Sequence, residues 1–230
     1  MGARDDYFAL AEARPELFAN PPDAAFEILM DEADIRQAES EMRERLTAFG
    51  GSPGWAEVGI AFRDQYLMIV RDAVRFSDGS LGTYIRSIDL YPDVVGVVVL
   101  PVWRGQVLLI RHFRHATRSW HLEIPRGFGI VADTAESARR ELREEIGATA
   151  SRLVDLGGIH PDAGSGAGRV AMFLAEVEAY GEGEALEGIT TVIPTAVAEF
   201  ERMIAGGDLS DGFLLAAYAR AKAKGLLPGG

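Results

Sequence analysis

Apolar residues change their spacing along this chain, and each change predicts a different kind of element. From residue 1 to about 50 the spacing is helical and the surface polar. Phe26, Leu29, Met30 and Ala33 recur at helical steps behind Pro22 and Asp23, which suit a helix start, and 34–49 continues with charged residues up to Gly50-Gly51. Ser52-Pro53-Gly54 is a break, so a helical extension is expected over 1–54 and the main domain over 55–230. From Trp55 the pattern turns to strands. Residues 66–70 and 72–76 are each read as one, and Ser77-Asp78-Gly79-Ser80 turns the chain into 82–88, a β-hairpin. These strands (55–93) precede a core over 94–230 that opens on a β-branched run, 94–102, with the signature of a buried central strand. Arg104-Gly105 turns that run into a second buried strand, 107–110. Residues 134–146 are expected to be helical, with Asp133 or Thr134 as N-cap and Gly147 at the C-terminal position glycine favours. A Gly-rich loop over 157–168, a strand over 170–177 and helices over 195–205 and 211–224 complete the reading.

Charge narrows the partners. Lys and Arg total 23 against 35 Asp and Glu, a formal net charge of −12. Nucleic acid and anionic membrane both require a basic footprint, so neither is expected. There is no cysteine, which removes disulfides and thiolate chemistry. The N-terminus lacks the apolar region of a signal peptide, and no apolar run approaches the roughly 18–20 residues of a membrane span. A soluble, cytoplasmic protein is the expectation.

The helix at 134–146 carries the candidate chemistry. At about 100° per residue, Glu141, Glu144 and Glu145 fall within an arc of about 100°, beside an apolar face of Ala135, Ala138, Leu142 and Ile146. Two such carboxylates about 5.5 Å apart repel by about 3 kcal/mol at an effective dielectric of 20, and a bound cation relieves that repulsion. Oxygen ligands of this kind suit Mg²⁺ or Mn²⁺. An arbitrary acidic helix is more often a solvated face, here with Arg139, Arg140 and Arg143 as partners. The upstream residues shift that balance, because Leu122-Glu123-Ile124-Pro125 runs into a glycine loop, Arg126-Gly127-Phe128-Gly129, that opens toward the acidic helix.

These residues resemble the signature of the Nudix hydrolase family. Its second half is matched by Arg140-Glu141-Leu142-Arg143-Glu144-Glu145-Ile146-Gly147-Ala148. The first half departs from the pattern, since the chain from Gly127 to Glu141 is one residue shorter. Counting forward places Asp133 at the first glutamate, and counting back places Ala132 there. The resemblance covers residues from about 55 onward and implies an α+β fold: a Nudix-type α/β/α sandwich with a mixed sheet, preceded here by the N-terminal helical extension and the β-hairpin.

Within the family, the hairpin before the central strand, Arg111-His112-Phe113-Arg114 and Trp120-His121-Leu122-Glu123-Ile124-Pro125 are most similar to ADP-ribose and nucleotide-sugar pyrophosphatases. That likeness implies a homodimer and cleavage of a nucleoside diphosphate joined to another moiety, by attack of a metal-activated water on phosphorus. It also implies Glu141, Glu144, Glu145 and the Arg126 backbone carbonyl as metal ligands, and Glu144, Glu145 and Asp162 as catalytic candidates. Arg111, Arg114, Arg118 and Trp120 are candidate substrate contacts, the arginines as phosphate clamps, although each taken alone fits a surface or packing role. Similar enzymes carry a glutamate shortly before the strand that begins here at Arg169-Val170. This chain has Gly166-Ala167-Gly168, with Asp162 the nearby acid, and Pro161-Asp162-Ala163-Gly164 also reads as an ordinary turn. The alternative is therefore a weak or inactive Nudix-fold sensor of nucleotide sugars; a protein that only uses its acidic helix as a surface is a third reading. Zinc is not expected, because His112 and His115 lack cysteine or helix-spaced partners. Trp103 fits packing better than base stacking.

Overall fold

The computed structural model of the protein describes residues 2–91, 94–129, 133–181, 183 and 188–227. The chain divides into two compact units, Met1–Leu90 with Asp162–Ala167, and Tyr91–Pro161 with Gly168–Gly230.

In the second unit, the run that reads as a central strand is β5 (Gly96–Trp103), and its two faces explain why it is apolar throughout. Val97 and Val99 enter one core with Ala138, Leu142 and Ile146 of α3 (Thr134–Ile146). Val98, Leu100 and Val102 enter the other, with Phe200 of α4 (Val197–Gly206) and Leu214, Ala217 and Tyr218 of α5 (Gly212–Ala223). Successive side chains of a strand point to opposite faces, so a sheet covered by helices on both sides needs apolar residues at every position. The result is helix, sheet, helix. Among the described residues the sheet has seven strands, five of them in the order β11 (Ile189–Ala196), β6 (Gln106–Arg114), β5, β10 (Val170–Val177) and β9 (Ala150–Ile159), with two short strands off this path. β10 runs parallel to β5 and the other pairs are antiparallel, so the sheet is mixed, as expected.

One irregularity positions the site. β5 and β6 pair only at Val102–Val107 and Trp103–Gln106, next to their turn. Beyond that point β6 pairs with β7 (Ser119–Glu123), from Ile110–Glu123 to Arg114–Ser119, while β5 pairs with the two-residue β8 (Arg126–Gly127). The chain from β7 to β8 therefore fills a split in the sheet, and Val99 N–H donates to Pro125 O at 2.8 Å across it.

The first unit is built on β3 (Met68–Arg75), which pairs with β1 (Glu27–Leu29), β2 (Gly59–Arg63) and β4 (Leu81–Ile88), all antiparallel. Two helices, α1 (Ala3–Ala13) and α2 (Glu32–Ala48), contribute Tyr7, Ile35 and Ala38 to its core. Tyr7 donates its hydroxyl to Asp72 at 2.7 Å, and Arg86 Nε donates to the same carboxylate at 2.6 Å. The segment Asp162–Ala167 belongs here: Ser87 N–H donates to Ser165 O at 2.7 Å and Tyr84 Oη to Gly164 O at 3.3 Å.

Several expectations are corrected. The first 50 residues are not helical throughout, because 27–29 find strand partners in β3 and the helix starts only after Asp31. That side chain accepts Ala33 N–H at 2.8 Å as N-cap. Residues 66–70 and 72–76 are not two strands: the ladder to β4 continues through Arg71, whose side chain leaves the sheet to donate to Glu57 O at 3.2 Å. The compact units divide after Leu90, and β1, which lies within the expected extension, pairs with β3. Gly157 and Gly158 lie in β9, beside a bulge opposite Met172 and Phe173, where a loop was expected. Ala132, one of the two counts for the missing glutamate, lies outside the described residues.

Candidate active site

The acidic helix is placed by its ends. Asp133 accepts Ala135 N–H at 2.9 Å and Glu136 N–H at 3.2 Å, which settles it as the N-cap of α3. Gly147 closes the helix with φ of 58°, a left-handed conformation that glycine adopts without a Cβ penalty. Asp133 thus spends its carboxylate on the helix terminus.

Between these ends the three glutamates separate into two kinds. Glu141 and Glu145 are buried, 6% and 2% exposed, while Glu144 is partly exposed. The buried pair faces β8. Arg126 N–H donates to Glu145 Oε2 at 3.2 Å, and the Gly127 Cα is so close to the Glu141 carboxylate that a Cβ there would overlap it. Arg140 ties the loop to the helix: its Nη2 donates to Phe128 O at 2.7 Å and pairs with Glu141, while its Nε lies 3.9 Å from Glu144. Burying carboxylates side by side is costly unless cations and donors compensate.

A second charged cluster adjoins β8, and the sequence reading missed it as a cluster. Glu123, at the end of β7, is 2% exposed. It accepts Arg114 Nε at 2.8 Å and Nη2 at 2.5 Å, and Arg126 Nη2 lies 3.1 Å from the same carboxylate. The other arm of Arg126 donates to Asp211 Oδ2 at 2.7 Å, and its guanidinium stacks on Phe213 at 4.9 Å. A lone glutamate inside the apolar run Leu122-Glu123-Ile124 was the available signal for a buried ion pair.

The remaining candidates are dispersed. Arg114 is committed to Glu123. Arg111 stacks on Trp120 at 4.0 Å, and Arg118, with φ of 53°, stacks on Phe113 at 5.3 Å and contacts His115 Nδ1 at 2.8 Å. Phe113 and Trp120 are opposite each other in the β6–β7 ladder, ring centroids 5.4 Å apart, so the hairpin carries two aromatics flanked by two arginines. Asp162 lies in the first unit. Its carboxylate accepts from the Ser165 hydroxyl and from Gly164 N–H at 3.1 Å, and these bonds, the hydroxyl first, hold its pKa below the usual carboxylate range.

The donor chemistry fits a hard divalent cation. Glu141 and Glu145 bring buried carboxylate oxygens to β8, where the absence of a side chain at Gly127 makes room for the Glu141 carboxylate. Among the described residues no group of three or more histidine, aspartate or glutamate side chains already stands in a metal-holding cluster. The histidines are engaged elsewhere: His121 Nε2 contacts Thr117 Oγ1 at 2.6 Å and His160 Nδ1 contacts Gly168 O at 3.1 Å.

Residues 91–190 match the family described as the NUDIX domain. The match covers 100 of the 230 residues. No curated protein matches it in sequence. A solved structure titled "Crystal structure of ADP compounds hydrolase" shares the fold with a TM-score of 0.64, at 20% identity over 74% of this chain and 95% of that one. Among the described residues no helix is long and apolar enough to cross a membrane. The matched segment contains β5 to β8 and all of α3, so the family match and the buried carboxylates fall on the same elements.

Proposed function

We propose that this chain is a Nudix hydrolase that cleaves the diphosphate of a nucleoside diphosphate joined to another moiety, ADP-ribose or a nucleotide sugar, in the presence of Mg²⁺ or Mn²⁺. The observation that carries the reading is the burial of Glu141 and Glu145 against the backbone of Arg126 and Gly127. The family match and the fold shared with an ADP compounds hydrolase support it.

Glu141, Glu145 and, as the family resemblance implies, the Arg126 carbonyl would hold a divalent ion, which would neutralise phosphate charge and lower the pKa of a bound water. The chain's own residues do the rest. Glu144, partly exposed and 3.9 Å from Arg140 Nε, would accept a proton from the attacking water. The water oxygen bonds to one phosphorus, the bridging P–O bond breaks, and the departing phosphate keeps the electron pair. Asp162 is the second candidate base, and the hydrogen bonds that lower its pKa make it a poorer proton acceptor than an ordinary carboxylate. Arg111 and Arg118 bring positive charge to the aromatic hairpin, where Trp120 offers a stacking surface for a base. A homodimer is part of the same proposal, and light scattering reads it directly.

The test is incubation with Mg²⁺ and a panel of ADP-ribose, nucleotide sugars and dinucleoside polyphosphates, followed by quantification of phosphorylated products. Turnover that disappears in Glu145→Gln, with the fold intact, supports the enzyme. Tight binding without cleavage by the wild type replaces it with a sensor, a reading favoured by the engagement of Asp162 in its own turn.

A further inference from the structure

We propose that Arg126 is a positioning residue: its side chain, clamped between Glu123 and Asp211, fixes the backbone that faces the carboxylates of α3. The inference rests on the diphosphatase reading for its catalytic consequence, though not for its effect on metal binding.

Four observations carry it. First, β8 is two residues long, with only Val97–Gly127 and Val98–Arg126 as its ladder to β5. So short a strand is weakly held by its own pairing, yet it must be placed accurately, because Arg126 N–H meets Glu145 and Gly127 abuts Glu141. Second, the Arg126 guanidinium is held at both ends by different elements: Nη1 by Asp211 at 2.7 Å, Nη2 by Glu123 at 3.1 Å, with Phe213 beneath it. Two carboxylates on a planar fork fix its rotation as well as its position. Third, Glu123 has a complete cationic partner in Arg114, which reaches it through two nitrogens. The link from Glu123 to Arg126 is therefore not needed to neutralise a buried charge, and buried ion pairs are in general poor sources of net stability. Fourth, Asp211 is itself anchored, because its other oxygen accepts Leu214 N–H at 2.8 Å as the N-cap of α5. The clamp thus ties the backbone opposite Glu141 and Glu145 to the start of a helix on the other side of the sheet.

Asp211 permits a variant that separates the two duties. Asp211→Asn keeps a side-chain oxygen able to cap α5, since asparagine caps about as well as aspartate, but removes the charge from the Arg126 contact. Arg126→Lys keeps the charge and loses the fork. The measurements are melting temperature, Mn²⁺ affinity from the free-ion electron paramagnetic resonance signal, and kcat and KM on whichever panel member the wild type cleaves. Both variants are expected to melt close to wild type, to bind Mn²⁺ about tenfold more weakly and to lose about tenfold in kcat, the range typical when supports of a metal site are altered. KM is expected to change less than kcat. Arg126→Met combined with Asp211→Asn is expected to be no worse than Arg126→Met alone, because both changes break one contact. Wild-type Mn²⁺ affinity in both single variants overturns the clamp, as does full additivity in the double variant. A wild type that binds Mn²⁺ and cleaves nothing overturns the diphosphatase reading only, and the clamp is then judged on affinity. A wild type that binds no Mn²⁺ overturns both.

Discussion

The Cα of Gly127 packs directly against the carboxylate of Glu141, leaving no room for a side chain between strand β8 and helix α3. Gly127→Ala must therefore displace either the carboxylate or the backbone. Misplacement of reacting groups by about 1 Å can cost on the order of 100-fold in rate. A loss of that order is expected in Gly127→Ala, with unfolding midpoints near wild type. Wild-type turnover in this variant would mean that Glu141 does not act from its present position.

Glu145→Gln and Glu141→Gln preserve shape and remove a charge. Each is expected to lower turnover by about 100-fold and to weaken Mn²⁺ binding in calorimetry, as loss of a charged metal ligand requires. Glu144→Gln is expected to separate the two readouts, with turnover lost and Mn²⁺ affinity changed less. Loss of affinity in Glu144→Gln equal to that in Glu145→Gln would make it a ligand and not the base.

Asp133 caps helix α3 through its carboxylate, which accepts Ala135 and Glu136 N–H. Asp133→Ala is expected to cost about 1 kcal/mol in urea unfolding through the lost N-cap, and Asp133→Asn close to nothing. Both should bind Mn²⁺ as wild type does. A large affinity loss in Asp133→Asn would place the residue in the role of the family's first glutamate.

The Tyr7–Asp72 bond makes the first unit sensitive to alkali. Burial first, and then the neighbouring Asp72 carboxylate, push the Tyr7 phenol far above its ordinary range. A pKa raised in the folded state gives stability that is fully present below the unfolded value of about 10 and is lost as pH rises beyond it. Stability should therefore fall with pH above about 10. Tyr7→Phe should flatten that fall and cost about 1–2 kcal/mol at neutral pH by removing a buried donor. An unchanged alkaline slope in Tyr7→Phe would assign the loss to another group.

The parts of this protein that were legible in its sequence are those set by local chemistry. The helix over 134–146 was readable because its cap, its apolar face and its terminal glycine all lie within it, and the glutamates could be sorted onto one side by angle alone. The strand over 170–177 and the turn at Ser77–Ser80 were readable for similar reasons. What was not legible depends on partners distant in sequence. Leu29 has helical spacing with Phe26, Met30 and Ala33 but pairs with Ala73 instead. Arg114 has the sequence of a phosphate clamp, yet its fork is taken by Glu123, a contact created only when β7 folds back on β6. Asp211 gave a helix start in the sequence, and nothing nearby indicated that Arg126, 85 positions earlier, would take its other oxygen.

The placement of Asp162–Ala167 with the first unit bears on how the gene can be cut. Neither unit is a continuous stretch of codons, because six residues encoded between β9 and β10 complete the unit encoded before Leu90. A fragment ending at residue 90 would lack the acceptor for Ser87 N–H, and a chimera that replaced only the N-terminal 90 residues would pair a foreign strand with the native 162–167 loop. Recombination between relatives should succeed when both segments come from one parent and fail when they are mixed.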